Sequence, residues 1–260
     1  MDLPLFQIDA FSGRVFGGNP AAVCPLGHWL PDETLQAIAA ENNLSETAFF
    51  VPRGGDYDLR WFTPATEVDL CGHATLAAGA LILERLALDR DSVRFHTRSG
   101  VLEVRREGEH FVMDFLSRPA AVVPPDARVA EALGCVPAAL LRGERDYLAV
   151  FADETEVRAL APNQGRLMAL DRLGMIVTAQ GRNVDFVSRF FAPRMGVNED
   201  PVTGSAHCTL TPYWADRLKK STLTARQISA RGGEMVCELR GDRVTMKGRA
   251  AFYLEGTIHL

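Results

Sequence analysis

The pattern of hydrophobic and polar residues in the first half of the chain predicts short strands around two helices. An apolar stripe with helical spacing predicts a helix over residues 31–42. Residues 72–86 are almost wholly apolar, and a helix that is apolar on every side is expected to be buried. Strands are predicted at residues 6–11, 46–51, 59–63, 93–97, 100–107 and 110–115.

The second half predicts the same order of elements. It follows residues 117–126, which contain three prolines and are expected to form a linker. Helices are predicted near residues 127–133, 162–173 and 204–219, and strands near residues 147–151, 175–179 and 184–191. Hairpins are expected to fill the C-terminus.

An internal repeat links the two halves. Residues 56–64 resemble residues 185–193 at an offset of 129, and residues 72–75 match residues 204–207 at an offset of 132. The Arg-Leu pairs at 85–86 and 217–218 and the segments 98–100 and 231–233 continue the series, at offsets of 132 and 133. Four matches in one order at a nearly constant offset indicate two copies of one unit.

The duplication predicts an α+β fold with two lobes, residues 1–118 and 119–260, related by a pseudo-two-fold axis. Each lobe is expected to be a mostly antiparallel sheet wrapped around its own central helix, with the last strand able to cross back to the first lobe. Such symmetry would set the N-termini of the two central helices facing each other across a cleft.

Composition and charge exclude several classes of protein. The 260 residues are 47% hydrophobic and 23% charged, which excludes a disordered or fibrous chain. A net charge of −5 argues against a nucleic-acid partner. No apolar run approaches the roughly 18 residues of a membrane span, and no export signal is visible. The five cysteines are odd in number and lack a CxxC pair, so we predict a cytoplasmic protein without a disulfide framework.

Two of the predicted helices begin at a glycine, Gly72 in the first half and Gly204 in the second. The first N–H groups of a helix have no partner within it and carry a partial positive charge, so they favour carboxylates and phosphates. Two such helix starts predict a binding site for a small carboxylate. The alternative is plain helix capping by Thr203 or Ser205.

Three polar residues are candidates for acid–base chemistry. Glu46 begins a strand among apolar neighbours, where a carboxyl group is partly removed from water; the alternative is an ion pair with an arginine at a strand edge. His73 directly follows Gly72, and Asp200 precedes Pro201. The alternatives are a structural histidine and a turn residue.

A metal site is the remaining chemical possibility. It would gather Cys71, His73, His207 and Cys208, whose spacing matches no recognised ligand motif. The sequence also lacks a phosphate-binding loop, a nucleophile elbow and a dinucleotide-binding fingerprint. We therefore predict no metal and no cofactor.

Four segments resemble the PhzF-like family of phenazine biosynthesis. They are residues 17–23 (GGNPAAV), 43–49 (NLSETAF), 70–75 (LCGHAT) and 199–206 (EDPVTGSA). The resemblance covers essentially the whole chain. It implies the diaminopimelate-epimerase fold, with an active site between two lobes, and a homodimer.

The resemblance also implies a function. Its best-understood chemistry is the cofactor-free isomerisation of dihydro-3-hydroxyanthranilate, in which one glutamate takes a proton from carbon and returns it on the same face. That glutamate matches Glu46, and its catalytic partners match His73 and Asp200. The substrate contacts that the resemblance implies are Asn19, Ser45, Cys71, Gly72, Gly204 and Ser205. The chain is thus expected to be an isomerase of a small carboxylate.

Two alternatives stay open. Related racemases use two cysteines, one in each lobe; Cys71 matches the first, but Asp200 stands at the second position, which disfavours a symmetric two-thiol racemase. An epimerase or racemase of an amino acid or hydroxy acid with Cys71 as one base is still conceivable, with Glu46 or Asp200 on the opposite face. The other alternative is a non-catalytic protein that binds a small carboxylate.

Overall fold

The computed structural model describes all 260 residues, which form 18 strands and six helices. The strands are β1 (Asp2–Ala10), β2 (Asn19–Pro25), β3 (Glu46–Arg53), β4 (Asp56–Phe62), β5 (Glu67–Val68), β6 (Ser92–Thr97), β7 (Gly100–Glu107), β8 (His110–Leu116), β9 (Ala121–Val123), β10 (Ala139–Arg142), β11 (Asp146–Val150), β12 (Gly174–Gln180), β13 (Phe186–Ala192), β14 (Val197–Asp200), β15 (Thr222–Gln227), β16 (Gly233–Arg240), β17 (Arg243–Gly248) and β18 (Ala250–His259). The helices are α1 (Asp32–Asn42), α2 (Gly72–Leu81), α3 (Ala127–Leu133), α4 (Glu154–Ala159), α5 (Gln164–Met168) and α6 (Gly204–Leu218).

The chain divides into two compact units. The first comprises residues 1–114 together with residues 247–260, and the second comprises residues 115–246. The sequence had suggested a boundary at residue 118, four residues later. The C-terminal strand β18 belongs to the first unit, where it pairs antiparallel with β1 along almost its whole length.

Each unit contains the same pattern of strand pairing. In the first unit β2 is parallel to β3 and β4 is parallel to β6, whereas the pairs β3–β4 and β6–β7 are antiparallel. In the second unit β11 is parallel to β12 and β13 is parallel to β15, whereas β12–β13 and β15–β16 are antiparallel. The predicted duplication and the α+β class are confirmed.

The helix predicted from the wholly apolar segment is α2, which is buried at every position after Gly72. It packs against β1, β2, β3 and β7, and a π-helical turn, Ile82–Leu86, continues it. The corresponding helix α6 packs against β15 and β16 and tolerates Pro212 in its interior. Each central helix therefore fills the core of its own sheet. None of the helices combines the length and the apolar character that a membrane span requires.

A close approach between α2 and β7 depends on Gly79. A Cβ atom at this position would lie 2.6 Å from two side-chain carbons of Val104. We expect Gly79→Ala to lower the free energy of unfolding by about 1–3 kcal/mol, because overpacking outweighs the better helix propensity of alanine. Urea unfolding measures the change. Gly27→Ala is the matched control, since nothing lies within 4 Å of that Cβ position; equal stabilities of the two variants would contradict the close packing.

Two sequence predictions are wrong. The helix predicted over residues 162–173 is only the five-residue helix α5, which begins where the Asn163 side chain accepts the N–H of Arg166, and the preceding helix α4 was not predicted. The predicted linker contains β9, which pairs antiparallel with β10. The strand is only three residues long and lies between prolines, so its apolar run is too short to indicate a strand.

Candidate active site

Three elements of the first unit bring polar side chains together at the start of α2. The parallel strands β2 and β3 both pack against this helix, and their register sets Ala21 beside Glu46. Asn19 is the first residue of β2, Glu46 is the first residue of β3, and His73 is the second residue of α2. The local fold thus gathers side chains that lie far apart in the sequence.

His73 lies at the centre of this group. Its Nε2 is 3.1 Å from Oε2 of Glu46, and its Nδ1 is 3.2 Å from Nδ2 of Asn19 and 3.5 Å from Sγ of Cys71. His73 and Cys71 are only 5% and 6% exposed, whereas the Glu46 side chain is 18% exposed. The carboxylate is therefore the most accessible member of a buried cluster.

The carboxylate oxygen that approaches His73 is chemically available. Oε2 of Glu46 forms an ion pair with Nε2 of His73 at 3.1 Å but does not meet the geometry of a hydrogen bond, and no other group bonds this buried oxygen. Native proteins satisfy the large majority of their buried polar atoms. At the start of α2, such an oxygen is a candidate acceptor for a proton or a ligand.

Burial and neighbouring charges set the protonation states. Burial, with a further contribution from the negative charge of Glu46, raises the pKa of the Cys71 thiol to about 11 against the opposing effect of His73. Burial alone would lower the pKa of His73, but its neighbours Cys71 and Glu46 outweigh this effect and raise the pKa well above 6.5.

The N-terminus of α2 is open. Its N-cap residue, Cys71, has an extended backbone and no side chain caps the helix. The Thr75 hydroxyl donates to the carbonyl of Cys71, at 2.6 Å, and so leaves the first N–H groups of the helix uncapped. Ser45, which precedes Glu46, and Gly72, the first helical residue, are both half-buried.

The second unit holds the other predicted residues around the start of α6. The Thr203 hydroxyl donates to Oδ2 of Asp200 at 2.5 Å and does not cap the helix, so capping by Thr203 is wrong. Gln227 fixes this segment, since its Nε2 donates to the Asp200 carbonyl and its Oε1 accepts the N–H of Thr203. Gly204 and Ser205 are the first two residues of α6. No pattern in the sequence pointed to Gln227.

His207 and Cys208, which a metal site would have needed, lie within α6. The His207 Nδ1 donates to the Thr203 carbonyl, at 2.8 Å. This bond repeats the one that Thr75 makes to Cys71 in the first unit. His207 therefore has a structural role.

A duplicated ion pair supports both segments that lead into the central helices. Arg60 binds Glu67 through two hydrogen bonds of 2.7 and 2.8 Å, and Arg189 binds Glu199 through two of 2.7 and 2.9 Å. Sequence reasoning did not assign these residues, although the repeat aligns both arginines and both glutamates. The two ion pairs hold in place the segments that precede α2 and α6.

The two units differ at the position of Glu46. Gly174 begins β12 and occupies the register position in the β11–β12 pair that Glu46 occupies in the β2–β3 pair. A Cβ atom on Gly174 would lie 2.3 Å from the ring of Phe190 and 2.7 Å from Oδ1 of Asp146. No side chain fits at position 174, so the second unit has no carboxylate at the position that corresponds to Glu46, and the buried Asp146 carboxyl group on the neighbouring strand lies beside that position.

Comparison with known proteins agrees with this architecture. Residues 8–256 match the family model of the phenazine biosynthesis-like proteins, PhzC-PhzF. A Pseudomonas aeruginosa protein described as an uncharacterised isomerase is 56% identical over 261 residues, covering all of both chains. The crystal structure of a PhzF-family protein from Enterococcus faecalis has a TM-score of 0.98 at 45% identity, again covering all of both chains.

The chain belongs to the PhzC-PhzF phenazine biosynthesis-like family, and it is an isomerase. A hydroxyproline epimerase from Agrobacterium vitis shares the fold with a TM-score of 0.62, covering 99% of this chain and 92% of that one, at only 10% identity. The epimerase-like α+β fold implied by the sequence motifs is thus confirmed.

Proposed function

We propose that the protein isomerises a small carboxylate without a cofactor, and that Glu46 moves a proton between two of its carbons. The observation that carries this proposal is the buried Oε2 of Glu46, which has no hydrogen-bond partner. The oxygen lies at the start of a strand, where packing against α2 fixes its position. A positioned carboxylate with an available lone pair is suited to general acid–base catalysis.

The proton cycle needs no redox partner. The Glu46 carboxylate takes one proton from a carbon activated by a neighbouring carbonyl or carboxylate group of the substrate. The resulting carboxylic acid returns that proton to a second carbon, so that a double bond moves and the enzyme is regenerated. His73 holds the carboxylate in place from 3.1 Å and supplies positive charge beside it.

Substrate binding is proposed at the open helix starts. The uncapped N-terminus of α2 offers N–H groups and a partial positive charge to the substrate carboxylate. Asn19 and Ser45, which belong to the motifs of residues 17–23 and 43–49, are proposed as further substrate contacts. Asp200 is proposed as a further catalytic group. Gly204 and Ser205 are proposed as substrate contacts, because they match the family motif and the start of α6 also lacks a side-chain cap.

A proton-exchange screen tests the proposal. The purified protein is incubated in D₂O with a panel of small unsaturated, hydroxy and amino carboxylates, and mass spectrometry and NMR follow the label. We expect deuterium in a carbon-bound position of one substrate, together with a shifted double bond. Tight binding of a carboxylate without any exchange would identify a binding protein and overturn the proposal.

The epimerase alternative is favoured by one observation, the proximity of Cys71 Sγ to the His73 imidazole. We expect Cys71→Ala to slow exchange by less than about tenfold, because a thiol with a pKa of about 11 is a poor base at neutral pH. An epimerase that uses Cys71 as its base would lose at least about 10²-fold. Exchange rates of the wild-type protein and the variant in D₂O distinguish the two.

The homodimer and the cytoplasmic location remain predictions. Sedimentation velocity of the purified protein tests the first, and fractionation of the source cells tests the second.

A further inference from the structure

The strand β18 forms an exposed edge of the first unit. It runs over ten residues and pairs antiparallel with β1 on one side. Residues 253–257 are exposed one after another, so the other side of β18 faces solvent. Tyr253 and Leu254 are 47% and 42% exposed, although both side chains are large and mostly apolar. The unpaired backbone groups of such an edge can serve as a template for a further strand.

The hydrogen bonds to β1 determine which backbone groups of β18 point outward. Leu260 donates its N–H to the Met1 carbonyl and accepts a hydrogen bond from the Met1 amino group in return. The direction of the backbone hydrogen bonds alternates along a strand, and the register between β1 and β18 is regular over this stretch. Glu255, Thr257 and His259 therefore direct their backbone N–H and C=O groups away from β1.

The sequence of β18 contains little that would keep another strand away. Natural proteins protect the edges of their sheets with lysine, proline or bulges. The strand has no lysine, arginine or proline, and Glu255 is its one acidic residue. Its single bulge lies at Tyr253, which has no register partner in β1, and leaves residues 254–259 regular. We propose that β18 is an interaction surface for a second copy of this chain, whose own β18 pairs with it antiparallel about a two-fold axis.

Charge complementarity selects the position of the axis. An axis at Glu255 would set two glutamates opposite each other, and an axis at Gly256 would set each glutamate opposite a threonine. An axis at Thr257 instead sets each Glu255 opposite His259 of the second copy. The imidazolium of His259 can donate from Nδ1 to Asp2, which lies at 2.9 Å, and from Nε2 to that glutamate. The strand is thus complementary to itself in this register.

The side chains also divide well between the two faces of the joined sheet. Ile258 packs against the core cluster that contains Leu3, and alternation places Leu254 and Leu260 on the same face. In the proposed register each Leu254 lies opposite Leu260 of the second copy, so this apolar core continues across the axis. The other face carries Thr257 and the charged pairs. The pairing would give the predicted homodimer a defined interface, and it does not depend on the proposed reaction.

Sedimentation equilibrium of the full chain without substrate measures the association. We expect a concentration-dependent dimer, and we expect Thr257→Pro to raise its dissociation constant by about 5–150-fold. Proline removes the outward N–H group from both copies, and thus two hydrogen bonds, while the bonds to β1 stay intact. Circular dichroism confirms that the variant is folded. A chain that sediments as a monomer at every concentration would overturn the proposal in favour of a strand from another protein, and a dimer that Thr257→Pro leaves equally tight would also overturn it.

Disulfide cross-linking tests the register. Cys135→Ser first removes the one exposed cysteine. In that background Thr257→Cys places two thiols at the axis, where Cα atoms about 5.5 Å apart permit a disulfide. Glu255→Cys is the matched control, because its two copies would lie more than about 13 Å apart. After mild oxidation, non-reducing electrophoresis should show a covalent dimer for Thr257→Cys alone; no covalent dimer, or equal cross-linking of both variants, would contradict the proposed pairing.

Discussion

Glu46→Gln is expected to lower the rate of isomerisation by about 10²–10⁴-fold, the range typical of a lost general acid–base group. Glutamine preserves the shape of the side chain but cannot take a proton from carbon. Deuterium incorporation from D₂O, measured with the substrate found in the exchange screen, reports the step directly. The Michaelis constant should change far less than kcat, because the amide still fills the space of the carboxyl group.

Glu41→Gln is the matched control for this variant. Glu41 is an exposed residue of α1, five positions before Glu46, and the substitution removes the same charge. It should exchange deuterium at the wild-type rate. If Glu46→Gln also exchanged at the wild-type rate, the role given to Glu46 would be wrong.

Acid is expected to destabilise the fold through His207. Burial lowers the pKa of His207 to about 4, against the opposing effect of the Thr203 carbonyl. Its Nδ1 already donates to that carbonyl, and its buried Nε2 has no partner, so a second proton would introduce an unpaired charge next to the ring of Phe186. The folded structure therefore favours the neutral form of the His207 imidazole.

The direction in which stability changes with pH follows from the pKa values of His207 in the folded and unfolded chain. In the unfolded chain His207 binds its proton below about pH 6.5, whereas in the folded chain it does so only below about 4. Stability is therefore complete above pH 6.5 and falls as the pH decreases, and this group accounts for a loss of about 3 kcal/mol once the pH is below both values. Urea unfolding between pH 7 and pH 4 measures the loss.

His207→Asn separates this contribution from the titration of the carboxylates. The asparagine amide can still donate to the Thr203 carbonyl but does not titrate. Between pH 6.5 and 4 the variant should therefore lose about 3 kcal/mol less stability than the wild-type protein. The exposed His28 supplies the control, His28→Asn, which should follow the wild-type curve. Parallel pH dependences of His207→Asn and the wild-type protein would contradict the buried neutral imidazole.

The elements with a strong periodic signal could be predicted from the sequence. The apolar segment that forms α2, the helix α3 and the repeat that relates Arg60 to Arg189 all follow from residue pattern alone. The short helices α4 and α5 and the exposed strand β9 could not be predicted, because capping by single side chains and pairing of the β9 backbone with β10 determine them. Local hydrogen bonds of this kind leave little trace in hydrophobicity.

Part of the candidate site could likewise be predicted from the sequence, and part could not. The motifs pointed to Glu46 and His73, and the structure brings their side chains within 3.1 Å. The sequence could not predict that Glu46 Oε2 is buried beside the imidazole without a hydrogen bond, since this depends on how β3 packs against α2. It also could not predict that Thr203 binds Asp200 and leaves the helix uncapped, because Gln227 is 24 residues away.

The glycine at position 174 limits how this scaffold can evolve. After an internal duplication, either copy could in principle have acquired the reactive carboxylate, but Phe190 and Asp146 now fill the space that a side chain at position 174 would need. A second base could not arise there by one substitution, since Phe190 would first have to become smaller. Packing therefore keeps a side chain out of position 174, and a reactive group of the second unit has to come from another position.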